Sequence, residues 1–211
     1  MSLLDRDRLV ECLGVFPPDK AQLILKFYEL LLDENTRQNL TRLTSPEDFM
    51  TGHLQDVIEL TQWGLVDYPA VDLGSGCGVP GLLSAVLDSQ RWVLVESERR
   101  KAEFLAKTIQ ALGLDARVEA RSERIENYLL GHSASSIVAR AVGPVDRIYS
   151  WIHSCSTWNN LILFKGPSWD EEWERFSRSR FRKYLELVSI HSYAVGSPSR
   201  VRKLVKLNRV R

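Results

Sequence analysis

Val71-Asp72-Leu73-Gly74-Ser75-Gly76-Cys77-Gly78-Val79-Pro80-Gly81 is the stretch that decides the fold. A short apolar run ends in an acid, and four glycines follow before apolar residues resume at Leu82. Glycine admits φ > 0 and lets backbone approach a ligand, at an entropic cost that a plain turn would not repeat so often. Pro80, with its φ preset and no N–H to lose, suits the first turn of a helix. Strand, acid, glycine loop and helix start together describe a cradle for a nucleotide-type ligand.

Gly76, Gly78 and Gly81 satisfy G-x-G-x-x-G, the spacing of dinucleotide sites. A pyrophosphate, however, seeks backbone donors at a helix N-terminus, and Asp72 beside the loop would repel it. S-adenosylmethionine (SAM) carries a sulfonium and an ammonium and no phosphate, so the same carboxylate attracts it. The next apolar run, Arg91 to Val95, ends in Glu96, where an acid can accept both ribose hydroxyls. That second acid suits NAD and SAM alike, so Asp72 alone discriminates. A glycine-rich turn without ligand is the plain alternative.

The 211 residues suffice for one full core and a small extension. At 44% hydrophobic and 26% charged, the composition is that of an ordinary globular protein. No apolar run approaches the roughly 18 residues that cross a bilayer, and the charged stretch Asp5 to Arg8 is unlike a signal peptide. Cys12, Cys77 and Cys155 are scattered and odd in number, and the four histidines do not join them at metal-ligand spacing. A cytoplasmic protein is expected, with no disulfide framework, no metal and no membrane partner. The net charge of +1 conceals a division. From Arg175 to Arg211 there are eleven Lys and Arg against one acid, Glu186. Such a basic end attracts phosphates, which points to nucleic acid. The alternative is a solvated face and an edge strand guarded by charge.

Leu23, Ile24, Phe27, Leu30 and Leu31 recur at helical spacing after Pro17-Pro18 and a capping Asp19. A second helix is predicted from the cap Ser45, with Pro46, Glu47 and Asp48 in its first turn, to about Trp63, where Gly64 ends it. Beyond residue 70 the pattern alternates. Strands are predicted over 70–73, 92–95, 116–120, 136–141 and 161–164, with helices over 82–87, 98–112, 145–155 and 169–184. Residues 185–195 and 201–207 read as an antiparallel pair. Helices between short apolar strands imply an α/β, doubly wound, Rossmann-like sheet with ligands at the carboxyl ends of its strands.

Laid out in this way, the chain resembles the bacterial 16S ribosomal RNA guanine-N7 methyltransferases, also called glucose-inhibited division protein B. Asn39-Leu40-Thr41 and His53-Leu54-Gln55-Asp56 are similar to the family's N-terminal signatures, and 72–81 to its SAM loop. Glu96, Arg99-Arg100-Lys101 and Phe104-Leu105 resemble its second motif, Arg124-Ile125-Glu126 its adenine contact, and Ala139-Arg140-Ala141 its segment after the fourth strand. Lys165-Gly166 resembles the motif after strand five, and Arg200 with Lys206 the final basic strand. The chain departs from the pattern at Cys77 for a usual proline, Glu96 for Asp and Glu34 for Trp. It also has Ala141-Val142-Gly143 where an aromatic segment is usual. The resemblance implies a class I SAM-dependent methyltransferase with a seven-stranded sheet and an antiparallel last strand over 67–211, an N-terminal helical extension over 1–66, and one compact, monomeric unit. Its implied substrate is a guanine in the 530-loop region of 16S rRNA, naked or in the small ribosomal subunit.

Guanine N7 carries a lone pair and no proton, so its methylation is an in-line displacement that needs no base and rests on orientation and electrostatics. An exocyclic amine would call for an Asn/Asp-Pro-Pro-aromatic loop, and carbon-5 methylation for a cysteine beside a base; neither is evident. On this reading Asp72, Gly74, Ser75, Gly76 and Gly78 cradle SAM and Val79 walls the pocket. Glu96 takes the ribose, and Ile125 and Glu126 meet adenine. Arg140 is the leading catalytic candidate, a fork at the end of strand four, with an ion pair to Asp146 or Glu96 as its structural alternative. His53 is placed near the target base, or else forms a buried pair with Asp56 that fixes the helices to the sheet. Lys165, Arg200 and Lys206 would neutralise RNA phosphates. Trp151 and Trp158 are expected in the core, and Trp169 and Trp173 are candidates for base stacking. A small-molecule methyltransferase and a non-catalytic SAM-binding regulator are the competing functions.

Overall fold

The computed structural model describes residues 3–196 and 198–210. Helices α1 (Leu3–Leu13) and α2 (Pro18–Asn35) come first, then α3 (Pro46–Phe49), a π turn (Met50–Leu54) and α4 (Gln55–Gln62). The spacing read from sequence is the one that packs: α2 buries Ile24, Phe27, Tyr28 and Leu31. Pro17, not Asp19, holds the cap position, and Asp19 lies in the first turn, where its charge complements the helix dipole. Ser45 caps α3 as expected, its Oγ accepting from the Asp48 N–H at 3.1 Å. The helix predicted over 45–63 is broken into two α segments by the π turn.

Strands β1 (Ala70–Leu73), β2 (Trp92–Glu96), β3 (Val118–Ser122), β4 (Ala134–Arg140) and β5 (Trp158–Lys165) are parallel. They alternate with α5 (Gly81–Asp88), α6 (Arg99–Leu112), α7 (Ile125–Gly131) and α8 (Val145–Ile152). Then come α9 (Trp169–Ser177), β6 (Leu185–Val195) and β7 (Arg200–Arg209), which pair antiparallel, with β7 inserted beside β5. The order across the sheet is β3-β2-β1-β4-β5-β7-β6. The doubly wound α/β class read from sequence is therefore the observed one, and β1 and β4 lie side by side at its centre.

Local differences have local causes. β3 starts at Val118 rather than 116 because the Arg117 and Val118 N–H groups bond back to Leu114 in a turn. α9 stops at Ser177, well short of 184. There the Ser179 Oγ accepts from the Phe181 N–H, a side-chain bond that competes with continued helix, and a 3-10 turn at Arg182–Tyr184 leads into β6. α8 ends at Ile152, three residues early.

Each face of the sheet carries its own core. On one, Leu9, Phe27 and Val57 of the N-terminal helices join Leu82, Leu105 and Leu94 of α5, α6 and β2. On the other, Tyr128, Ile148 and Phe176 of α7, α8 and α9 cover Ile137 and Leu161. Trp158 and Trp169 are fully buried there and Trp173 packs against them, so the expected stacking role of Trp169 and Trp173 gives way to an aromatic core.

Candidate active site at the carboxyl edge of the sheet

The loop after β1 uses the conformations only glycine adopts readily: φ is +69° at Gly74, +54° at Gly76 and +92° at Gly78. At Gly74 space is short as well, since a Cβ would lie 3.0 Å from Val142 Cγ2. Glu96 at the end of β2 fastens this loop. Its Oε2 accepts from the Gly76 N–H at 2.9 Å and its Oε1 from the Glu98 N–H at 2.8 Å. Ser75 turns inward and donates to the Asp72 carbonyl at 3.0 Å.

Asp72 is buried, and its Oδ2 accepts from the Gly81 N–H at 2.9 Å. The carboxylate thus serves the first turn of α5 instead of projecting its charge from the loop, a correction to the sequence reading. Its Oδ1 has no partner, and burial pushes its pKa up to about 7. Pro80 sits one residue earlier than expected, at the cap position of α5, and Val79 packs into the core rather than walling the pocket.

Between β1, β2, α7 and α8 the edge opens into a cavity of about 110 Å³ lined by Gly74, Val95, Ile125, Glu126, Val142 and Trp151. Ile125 and Glu126, read from sequence as adenine contacts, line this cavity. Trp151, expected in the core, is half-buried at the wall of this cavity, and composition alone held no signal for that.

The second part of the site is polar. Arg140, the last residue of β4, places its Nη2 2.9 Å from His53 Nδ1 and its Nη1 3.0 Å from Asp56 Oδ2. The Nη1 contact lacks hydrogen-bond alignment, so that buried nitrogen has no directed acceptor. Since a guanidinium can only donate, His53 Nδ1 accepts, and its Nε2–H donates to Thr41 Oγ1 at 3.0 Å. Asp56 also accepts from Arg202 Nη1 at 2.6 Å and from the Tyr193 hydroxyl at 2.6 Å. One buried carboxylate therefore joins two guanidinium groups and a phenol from β4, β6 and β7. The ion pair to Asp146 or Glu96, the structural alternative for Arg140, does not occur; Arg140 pairs with Asp56 instead.

His53 is only 2% exposed, with both ring nitrogens engaged, one by Arg140 and the other by Thr41. It does not bond Asp56 directly; Arg140 lies between them. Burial, with Arg140 and Arg202 close by, pushes its pKa down to about 3. Lys165 at the end of β5 donates to Glu172 Oε1 at 2.7 Å and to the Gly143 carbonyl at 2.9 Å, which leaves it buried and compensated. Lys206 faces the opposite edge, bonded to the Leu65 carbonyl and to Asp67. Arg200 alone of the three expected phosphate contacts is exposed and, among the described residues, outside any ion pair. Asp56, Arg140, Ala141, Phe164, Lys165 and Arg202 enclose a cleft of about 310 Å³ beside the network. Tyr193 and Arg202 were missed from sequence because their role depends on β6 and β7 folding back against the π turn.

The two shifted groups act on stability with opposite sign. Asp72 holds a proton in the native state between about pH 4 and 7 that the unfolded chain has lost, so its contribution falls as pH rises. His53 lacks a proton between about pH 3 and 6.5 that the unfolded chain binds, so its contribution rises with pH. Across the shared window they offset each other. Asp72→Asn is expected to expose the His53 slope, with urea-unfolding stability rising about 1.4 kcal/mol per pH unit more steeply than wild type between pH 4.5 and 6. Parallel profiles for the two proteins would show that Asp72 is ionised in the fold.

Among the described residues no group of three or more His, Cys, Asp and Glu could hold a metal ion, and no helix is long and apolar enough to cross a membrane. The fold is similar to that of M. capricolum TrmK solved with S-adenosyl-homocysteine, at TM-score 0.57 and 10% identity over 73% of this chain and 67% of that one. The delta-N METTL16 methyltransferase domain gives TM-score 0.53 and 12% identity over 73% and 82%. Sequence relatives are far closer. The Solibacter usitatus "Ribosomal RNA small subunit methyltransferase G" is 32% identical over 85% of this chain and 86% of its own length. The Rhodopirellula baltica protein of the same name is 33% identical over 90% and 79%. The family model described as "rRNA small subunit methyltransferase G" (GidB) matches residues 20–201, from α2 through the glycine loop and Arg140 to β7, and the chain belongs to that family.

Proposed function

We propose that this chain presents guanine N7 of 16S rRNA, in the 530-loop region, to SAM at the carboxyl edge of the sheet, with Arg140 orienting the reacting groups. Family membership makes it a SAM-dependent rRNA methyltransferase.

The cavity and loop suit the cofactor. Glu96 keeps free acceptor capacity for ribose hydroxyls after binding two N–H groups, and the slot between Ile125 and Trp151 suits a flat, uncharged base. The glycines expose backbone where side chains would intrude. SAM, when bound, supplies the electrophilic methyl. Asp72 supports the cradle through Gly81 rather than touching the cofactor.

The observation that carries the reading is Arg140: a forked cation at the end of a central strand, fixed by His53 and Asp56, at the wall of a cleft whose neighbours include no group suited to take a proton. His53 is held neutral with its free electron pair already committed to Arg140, and Asp56 is saturated by donors. Guanine N7 asks for no proton removal, so orientation by a preorganised cation is sufficient chemistry. On this reading the protein acts as a cytoplasmic monomer, and residues 1–66 and 67–211 work as one body because His53 and Asp56 come from the first and Arg140 from the second.

The test is to incubate the protein with methyl-labelled SAM and 16S rRNA, assembled small subunits or a metabolite extract. Product RNA is then cleaved by reduction and aniline, which act at N7-methylguanine. Label in the RNA and a strand break at one guanine of the 530-loop region are expected. Label that survives without a break would move the chemistry to another atom, and label only in metabolites would select the small-molecule alternative.

A further inference from the structure

The basic end of the chain is not consumed by the site just described. Lys165, Arg178, Arg202, Lys203 and Lys206 each have a carboxylate partner. Arg180, Lys183 and Arg209 have none among the described residues; each instead lies against an aromatic ring. Arg180 is over Phe181 at 4.8 Å, Lys183 over Tyr184 at 4.9 Å and Arg209 over Trp158 at 5.4 Å.

These three cations converge. With Tyr149, His153 and the aromatic pair Phe181 and Tyr184 they line one cleft of about 490 Å³ that contains no acid. Glu186, the lone acid of the basic segment, follows on β6 but does not line it. Arg180, Lys183 and Tyr184 are exposed at its mouth, and His153 is exposed on its rim. Unpaired cations kept together cost self-repulsion, and among the described residues no carboxylate compensates it. Cations gathered around one exposed ring, Tyr184, and the half-buried Phe181 suit a polyanion with a stackable base.

The cleft lies away from the methyl-transfer edge. β5 runs from Trp158 to Lys165, with Lys165 paired to Lys203 at the carboxyl edge and Asn160 to Asn208 near the amino edge. Arg209 and the Tyr184 turn are therefore at the amino edge. At about 3.3 Å per residue the two places are roughly 20 Å apart along the strand.

We propose that the cleft around Arg180, Lys183 and Arg209 is a second RNA-binding site, holding a phosphodiester segment of the rRNA substrate at the sheet edge opposite the reacting guanine. The inference rests on rRNA being the substrate and adds where a distant part of it is gripped. A short hairpin containing only the target loop reaches one edge; the folded 16S rRNA reaches both.

The test compares wild type with Arg180→Ala/Lys183→Ala, both exposed, and with Lys107→Ala on α6 as a single-charge control on another face. With intact 16S rRNA the double variant is expected to bind about tenfold more weakly at 0.15 M salt, with the slope of log K against log salt reduced by about 1.5. KM for 16S rRNA rises, kcat is unchanged and affinity for S-adenosyl-homocysteine is unchanged. With a target-loop hairpin too short to span the molecule, variant and wild type behave alike. Equal binding of 16S rRNA by variant and wild type would overturn the proposal, as would an equal loss in Lys107→Ala. A defect seen with assembled subunits but not naked 16S rRNA would assign the cleft to a ribosomal protein and overturn it too. In each of these cases wild-type methylation of rRNA still stands or falls by itself, so failure of the cleft is separable from failure of the function.

Discussion

Arg140→Ala is expected to lower methylation of 16S rRNA by roughly 10²–10³-fold, the cost of losing one preorganised charged donor at a reaction centre. The fold should survive, because Asp56 keeps Arg202 and Tyr193 as partners and His53 is neutral without Arg140. Arg140→Lys should rescue little. A single ammonium cannot reach His53 Nδ1 and Asp56 with the planar fork that sets the guanidinium's direction. Steady-state kcat, read beside urea-unfolding curves, checks both variants. Turnover within about fivefold of wild type in Arg140→Ala, with the protein folded, would remove the residue from the reaction centre.

Gly81→Ala should be the more damaging change to the fold. A Cβ there would stand 2.6 Å from Asp72 Cβ, 2.6 Å from Leu94 Cδ2 and 2.8 Å from Asp72 Oδ2. All three atoms belong to side chains of β1 and β2, Asp72 Cβ is fixed directly to the strand backbone, and any retreat of α5 breaks the Gly81 bond to a carboxylate that already lacks one partner. Overpacking alone costs about 1–3 kcal/mol, and an additional buried unsatisfied group about 1–3 kcal/mol more. A loss near 4 kcal/mol corresponds to a Tm lower by roughly 8–16 °C for a chain of this size. Gly131→Ala, with nothing within 4 Å of its added carbon, is the control and should melt like wild type. Similar melting of the two variants would show that the approach of β1 to α5 is looser than the geometry describes.

The fold was legible in the sequence where local chemistry dictates it. Gly74 to Gly81, the cap at Ser45 and the alternation of apolar runs set the doubly wound class and the edge that carries the glycine loop, and Glu96 and Arg140 end their strands there. What escaped was decided by contacts between distant segments. Asp72 was read by its charge, yet burial turned that carboxylate towards α5. Lys165 and Lys206 were read as free cations, yet Glu172 and Asp67 neutralise them. Arg202 and Tyr193 had no local mark at all, since only the return of β7 beside β5 carries them to Asp56. A count of basic residues says how much charge there is, and only the fold says which of it is spoken for.

The π turn at Met50–Leu54 has a practical corollary for anyone trimming or grafting this chain. It stores one surplus residue inside an otherwise continuous helix. Deleting a single position from it would let ordinary winding resume with the downstream residues kept in register, whereas the same deletion in a regular α-helix turns everything beyond it by about 100°. Asp56 would then keep Arg202 and Tyr193 and Leu60 would stay in the core, so a one-codon deletion here should be tolerated better than the same deletion in the regular turns of α2.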